Sequence, residues 1–109
     1  MKYLSYIAVI CFLMAVTFTW DMPTTNTDGS ALTDLAGARI YCGPAPGDHM
    51  LFADAGLVTT YTSDVLADGT HYCTMTAYDT SGNESMKSNE IFFILDRLVP
   101  GAVINFKLM

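Results

Sequence analysis

Short runs in which apolar and polar residues alternate recur at intervals near ten residues through most of this chain. Clusters rich in Gly, Pro, Asn, Asp and Ser separate these runs and supply the backbone conformations that chain reversals need. Alternation with a period of two predicts strands, and no stretch has the periodicity of a long amphipathic helix. The pattern predicts an antiparallel all-β sandwich with strands at residues 16–20, 38–42, 50–53, 59–63, 70–78 and 91–95.

Length and composition limit the classes of protein that remain. The chain has 109 residues, which fit one domain, and 51% of them are hydrophobic while 15% are charged. A chain of this composition can bury a core, so intrinsic disorder is excluded. The net charge of −6 argues against nucleic acid as a partner, because phosphate recognition needs clustered basic side chains. No cofactor is expected.

The N-terminal segment has the parts of a secretory signal peptide. Lys2 precedes an uncharged run over residues 3–20, and Ala15 is a small residue near its apolar end. This arrangement predicts removal of residues 1–15 and a secreted or cell-surface protein that has no membrane contact after cleavage. An uncut N-terminal membrane anchor is the alternative. Residues 16–20 alternate as a strand does, which shortens the run available to a membrane and favours the signal peptide.

Four segments carry a resemblance to a known family: Phe18–Pro23, Gly37–Tyr41, Leu66 with Gly69-Thr70, and Thr76–Ser85. Trp20 followed by Pro23, and the later Ala-x-Asp-x-x-Gly-Asn-x-Ser segment, stand in the order and spacing of the fibronectin type III domain in its bacterial and phage-like form. The sequence resembles that domain over residues 16–95. The resemblance implies a seven-stranded immunoglobulin-like sandwich used for adhesion, spacing, and protein or sugar binding, without catalytic residues.

Alternation within that fold separates inward side chains from outward ones. Ala38 and Ser63 stand where the family has larger apolar side chains, so a thin core is expected. The outward set is Arg39, Tyr41, Tyr72, Thr74, Thr76 and Tyr78. The core is predicted to contain Phe18, Trp20, Ile40, Tyr61, Leu66, His71, Met75 and Ala77, with His71 at a corner position that the family gives to Tyr.

Two cysteines remain if the signal peptide is removed, and the resemblance implies that they pair. The strands that carry Cys42 and Cys73 are neighbours in the resembled fold, and both positions have inward parity. A disulfide between them would contribute about 3 kcal/mol by restricting the unfolded chain. The alternative is a pair of buried free thiols.

Cleavage after Ala15 would leave the sandwich without its usual first strand, strand A, and would open one sheet edge. Residues 96–109 form a linker-like tail, and its end resembles the strand that begins a following type III domain. One hypothesis is that this tail supplies the missing strand, either in its own subunit or in a neighbour's, and the second case would produce a homo-oligomer. A frayed or aggregation-prone tail is the favoured interpretation.

Two loops are the expected binding region, because a rigid sandwich leaves recognition to its connections. The loops at residues 24–35 and 79–87 lie at the same end in the resembled fold, and their small polar side chains suit weak binding of a protein or a glycan. A calcium site at the second loop is the less favoured alternative to an ordinary turn. The candidate binding residues are Asn26, Asp28, Asp79, Ser81, Asn83 and Glu84.

A second candidate surface is the outer face that carries Tyr41, Tyr72 and Tyr78, although cross-strand stabilisation is the favoured explanation for these tyrosines. Neither His49 nor His71 has the neighbours of a zinc site, and no serine stands in a nucleophile-elbow motif. No catalytic or metal site is predicted. The sequence therefore indicates a secreted or surface-exposed module for adhesion, spacing or weak binding, and the alternative is a structural subunit that assembles by terminal strand exchange.

Overall fold

The computed structural model of the chain describes residues 8–10 and 15–109, and within them it is a two-layer β-sandwich. The strands are β1 (Ala8–Ile10), β2 (Ala15–Thr19), β3 (Leu35–Ala45), β4 (Asp48–Gly56), β5 (Thr60–Ser63), β6 (Gly69–Asp79) and β7 (Ile91–Leu95). One sheet has the order β1-β2-β5 and the other has the order β4-β3-β6-β7, with every pairing antiparallel. The predicted all-β sandwich is confirmed.

Strands β2 to β7 fall where the alternating pattern predicts them, although β3, β4 and β6 are longer than predicted, and β1 lies in the predicted signal peptide, where no strand was expected. Strands β3 and β4 join through a tight hairpin at Pro46-Gly47, in which Gly47 has a φ of 75°. Gly43 lies so close to the returning strand that a Cβ there would stand 1.5 Å from the carbonyl oxygen of Asp48. Because only glycine tolerates this approach, Gly43 continues the strand in a cluster predicted as a turn.

The core lies between the two sheets and contains most of the predicted side chains. Phe18 and Ile40 are fully buried, and both sheets contribute to one apolar cluster. Ser63 is also buried, and its hydroxyl oxygen accepts the N–H of Val65 at 3.2 Å, which satisfies a polar group at an apolar position. The buried cluster consists of Val16, Phe18, Trp20, Ala38, Ile40, Leu66, Cys73, Met75 and Leu95.

Three predicted core residues are only partly buried. Tyr61 packs against the cluster from its margin. His71 places Nε2 2.6 Å from the carbonyl oxygen of Ala67 and stacks on Phe93, so the polar ring holds the β5–β6 connection at the edge of the core. Ala77 lies near the end of β6, where the layers open. Fewer residues are therefore fully buried than the alternation predicts. The polar ring of His71 and the end of β6 at Ala77 are not fully enclosed by the two sheets.

Cys42 and Cys73 form a disulfide between the two central strands of the larger sheet. They are direct register partners of β3 and β6, and their Cα atoms lie 4.1 Å apart. This is the pair that the resemblance implies. The bond crosses the middle of the sheet, so it restrains the two longest strands of the described chain.

Thr74 and Thr76 have outward parity, yet both are buried. The cause is the segment at residues 84–90, which runs along the edge of β6 before β7 begins and bonds to both threonine side chains. The hydroxyl of Thr74 donates to the carbonyl oxygen of Ser88 at 2.8 Å, and the N–H of Ser88 donates to the carbonyl oxygen of Met75 at 2.8 Å. The prediction of two exposed threonines is wrong, because a long-range segment covers this face.

In the 109-residue chain the edge of β2 is not vacant, because β1 pairs with it. Residues 96–109 form no strand, and most of their side chains are exposed, so the tail does not supply that edge within its own subunit. The remaining residues of the predicted signal peptide lie outside the described residues. No helix in the described part of the chain is long and apolar enough to cross a membrane.

Candidate ligand-binding site

A groove of about 590 Å³ opens at one end of the sandwich, between the two loops predicted to bind. One wall comes from the connection between β2 and β3, and the other comes from the end of β6 with the segment that follows it. The backbone N–H of Thr80 donates to the carbonyl oxygen of Asp34 at 3.0 Å and ties the two loops together. The lining residues are Pro23, Thr25, Asn26, Thr27, Leu32, Leu35, Ala77, Tyr78, Asp79, Asn83, Glu84, Ser85 and Met86.

The first loop is shaped by a small hydrogen-bonded turn. The carboxylate of Asp28 accepts the backbone N–H of Ser30 at 2.9 Å and its hydroxyl at 2.6 Å, and these bonds lower the pKa of Asp28. The side-chain amide of Asn26 donates to the hydroxyl of Ser30 at 3.0 Å. Gly29, with a φ of 90°, makes the reversal. Asn26 lines the groove, whereas the Asp28 carboxylate accepts hydrogen bonds within the turn and does not line the groove.

The second loop is organised around the carboxylate of Asp79. One oxygen accepts the backbone N–H groups of Ser81 and Asn83 at 3.0 and 2.9 Å, and the other accepts the side-chain amide of Asn83 at 3.1 Å. The bonds from Asn83 lower the pKa of Asp79. Both oxygens thus cap a turn, which supports the turn over a calcium loop. Ser81 lies outside the groove, while Asp79 and Asn83 line it.

Glu84 lines the groove, but its carboxylate is engaged on the outer face of the larger sheet. It accepts hydrogen bonds from the hydroxyl of Thr76 at 2.5 Å, from the phenol of Tyr41, and from the guanidinium of Arg39 at 3.2 Å. These three donors, Thr76 foremost, lower the pKa of Glu84. Glu84 therefore fastens the loop to the sheet. The sequence analysis did not predict this role for Glu84, although it placed all three partners on the outward face.

The outer-face tyrosines make cross-strand contacts. The phenol of Tyr78 donates to both carboxylate oxygens of Asp54, at 2.8 and 3.0 Å, and this bond raises its pKa. Arg39 lies 3.9 Å from the centre of the Tyr78 ring and 3.6 Å from Asp54. Tyr72 stacks on Phe92 with ring centroids 5.7 Å apart. Since the polar ends of Tyr41 and Tyr78 are already bonded, these contacts favour stabilisation over ligand recognition at this face.

The structure thus brings four of the six candidate binding residues to one groove, namely Asn26, Asp79, Asn83 and Glu84. Sequence reasoning missed the hydroxyl groups of Thr25 and Thr27. Neither hydroxyl makes a hydrogen bond within the described part of the chain, so both remain available to a ligand. A turn-rich composition predicts a loop, but it does not indicate which of its side chains face a neighbouring loop.

No protein-family model and no curated protein sequence matches this chain. Solved structures do match. An Fn3-like protein from Clostridium thermocellum superposes with a TM-score of 0.62 at 18% identity, over 86% of this chain and 90% of that one. The chain has a fibronectin type III fold. The expected resemblance is therefore confirmed at the level of the fold.

Two further solved structures also match the fold of this chain. The sixth fibronectin type III domain of human fibronectin type III domain containing protein 3 matches with a TM-score of 0.62 at 18% identity, over 94% of this chain and 92% of that one. A β-1,2-glucanase from Parabacteroides distasonis matches with a TM-score of 0.59 at 18% identity, over 78% of this chain but only 11% of the enzyme. The similarity to the glucanase is confined to a small part of that protein.

Proposed function

We propose that this type III module is a non-catalytic binding protein that holds a short, neutral carbohydrate in the groove between its two loops. The observation that supports this proposal is the groove itself, whose volume of about 590 Å³ falls within the range of small-molecule sites. Its walls combine hydroxyl and amide groups with the apolar surfaces of Leu32, Leu35 and Met86. Sugars present the same mixture of hydrogen-bonding groups and apolar ring faces.

Charge narrows the class of ligand. The protein carries a net charge of −6, and Asp79 and Glu84 both line the groove. Hydrogen bonds lower the pKa of each, so both remain ionised at neutral pH. An anionic ligand would meet like charge there, which favours a neutral sugar over an acidic one. Shallow loops with few large aromatic side chains predict weak binding.

We also propose that the protein acts outside the cytosol, as a secreted or cell-surface module. The Cys42–Cys73 disulfide supports an oxidising compartment. The intact mass of the exported product tests this, since it reports cleavage after Ala15 and the loss of two hydrogens together. A product that keeps Met1 and remains in the membrane would instead support the anchored alternative.

Binding is tested on a glycan array, with hits measured by calorimetry. Thr27→Val removes one free hydroxyl from the groove with little change in shape. Losing one hydrogen bond of roughly 1 kcal/mol should weaken binding about fivefold. Thr80→Val is the matched control, because Thr80 is in the second loop but does not line the groove. Equal effects of both substitutions on affinity, or an array without hits, would contradict the proposal. Binding of a protein at the same groove would show that the ligand is a protein and not a carbohydrate.

A second candidate function, a self-assembling structural subunit, is supported by a different feature. The tail beyond Leu98 is exposed and rich in apolar side chains, of which Phe106 is 92% exposed. A mass measurement of the full chain separates this candidate from a monomeric binding module.

A further inference from the structure

Strand β7 is an edge strand that lacks the usual protection against further pairing. Its five residues, Ile91–Leu95, are all apolar, and its register with β6 contains no bulge. It lies at one end of the four-stranded sheet, with no described strand on its other side. Natural sheets guard such edges with charges, prolines, bulges or very short strands, because unpaired backbone groups otherwise recruit another chain.

The other sheet edges of the described chain carry these protections. β4, at the opposite end of the same sheet, contains Asp48 and Asp54 and has three register shifts against β3. β5 is short and polar, with the sequence Thr-Tyr-Thr-Ser, and β1 has three residues. β7 is therefore the edge best suited to accept a strand.

Both faces of β7 leave apolar surface that an added strand would cover. Phe92 and Ile94, on the outer face, are 64% and 66% exposed. Phe93 points inward and meets the ring of Phe18 edge-on with centroids 5.8 Å apart, yet it is only half-buried. A neighbouring strand would extend the core beside Phe93.

The C-terminal tail has the pattern of a strand but no sheet. Residues 98–109 are all exposed, and Ile104, Phe106 and Leu108 alternate with Asn105 and Lys107. Alternation of this kind is typical of a strand with one buried face. Burial of these side chains against an apolar surface would stabilise the tail.

The start of the tail is held away from the free edge of its own β7. The backbone N–H and the guanidinium of Arg97 donate to the carboxylate of Asp68 at 3.2 and 3.0 Å. Asp68 precedes β6, which is on the paired side of β7.

The chain measures 74 Å along its longest axis and 23 Å along the others. Twelve extended residues reach roughly 40 Å, enough to lie on a second molecule.

We propose that two copies of this chain exchange their tails, with residues 102–108 of each copy pairing antiparallel to β7 of the other. This inference develops the second candidate function and does not depend on the carbohydrate groove. Each copy gives one strand and receives one, so the exchange closes as a two-fold dimer. Each β7 then has a neighbouring strand, and both tails gain a sheet.

The register follows from the side-chain pattern. Ile104, Phe106 and Leu108 lie on the inner side, beside Phe93 and Leu95, because a shift of one residue would turn them all to solvent. In the free tail Asn105 has a φ of 54°, and pairing converts it to an extended conformation. Pro100-Gly101 lies between the two strands.

The mass of the full chain in solution gives the first test. Light scattering after size exclusion should give twice 11.9 kDa for the unmodified protein and 11.9 kDa for Phe106→Lys. Asn105→Lys, which adds the same charge to the opposite face, should remain a dimer. A monomer at every concentration would overturn the proposal. A dimer that persists after removal of residues 99–109 would overturn the tail exchange and would show that the copies associate through another surface.

A peptide provides the second test. The chain without residues 99–109 keeps every described strand and every residue of the buried cluster. It should bind a synthetic peptide of residues 98–109, and Phe106→Lys in the peptide should weaken binding at least tenfold, whereas Asn105→Lys should change it less than twofold. Equal affinities for the three peptides would overturn the proposal. So would a monomeric full chain whose melting temperature falls on tail removal, since its tail would then pair with its own β7.

Discussion

The carboxylate of Glu84 accepts the hydroxyl of Thr76 at 2.5 Å, across the outer face of the larger sheet. These residues are eight positions apart, on the two sides of the turn that Asp79 organises. The contact buries a threonine that alternation places outward, and it fixes the loop that forms one wall of the groove.

Glu84→Gln should lower stability by roughly 1 kcal/mol, because the neutral amide replaces a carboxylate that accepts three hydrogen bonds and is one-third exposed. Thermal unfolding should show a loss of about 4 °C. Asp64→Asn is the control, since Asp64 is exposed and should leave the transition unchanged. Equal melting temperatures for wild type and Glu84→Gln would refute this role.

The protein should lose stability in acid. The folded-state pKa values of Glu84, Asp79, Asp28 and Glu90 are lowered from reference values of 4.5 and 3.8. A lowered pKa stabilises the fold above the reference value, and this contribution is lost as pH falls through the folded value. Urea unfolding should show constant stability down to about pH 5 and a decline below it. The decline should be shallower in Glu84→Gln, and an identical slope would contradict the assignment.

Stability should also fall at high pH. Hydrogen bonds to Glu84 and Asp54 raise the pKa values of Tyr41 and Tyr78 above the reference value of 10.0. The neutral phenols are therefore favoured in the folded state, so their contribution is complete below that value and lost as pH rises through the folded values. Tyr78→Phe should remove part of this dependence. Ultraviolet titration of phenolate, combined with urea unfolding, gives the measurement, and a normal titration of both tyrosines would contradict it.

Reduction of the Cys42–Cys73 disulfide should cost about 3 kcal/mol, because it releases a restraint on the unfolded chain. The double substitution to Ala should show a comparable loss. The matched measurement is calorimetry with and without reductant. An oxidised wild type that melts at the same temperature as its reduced form would show that the bond contributes nothing.

Gly43→Ala should destabilise the protein by roughly 3 kcal/mol, because the added Cβ would collide with the backbone at Asp48. Gly101→Ala adds the same methyl group in open space and should have no comparable effect. Chemical denaturation of the two variants compares them directly. Equal midpoints would mean that the hairpin relaxes around the new side chain.

The sequence by itself determined the strands and the two-layer arrangement. Period-two spacing predicted the burial of four core residues, namely Phe18, Trp20, Ile40 and Met75. This spacing is a local property of an extended chain, so it can be interpreted without knowing which strands are neighbours. The Cys42–Cys73 pair followed from the resemblance to a known fold, since that fold makes their two strands adjacent.

Only the tertiary structure decided which polar residues share a site. Alternation gives the face of a strand, but it does not say that residues 84–90 return over that face and enclose Thr74 and Thr76. The same segment brings Glu84 to Arg39, although the two residues are 45 positions apart in the sequence. It also forms the groove wall that faces Thr27. These outcomes depend on contacts between segments distant in the chain, whose geometry is set by packing and hydrogen bonding after the strands have formed.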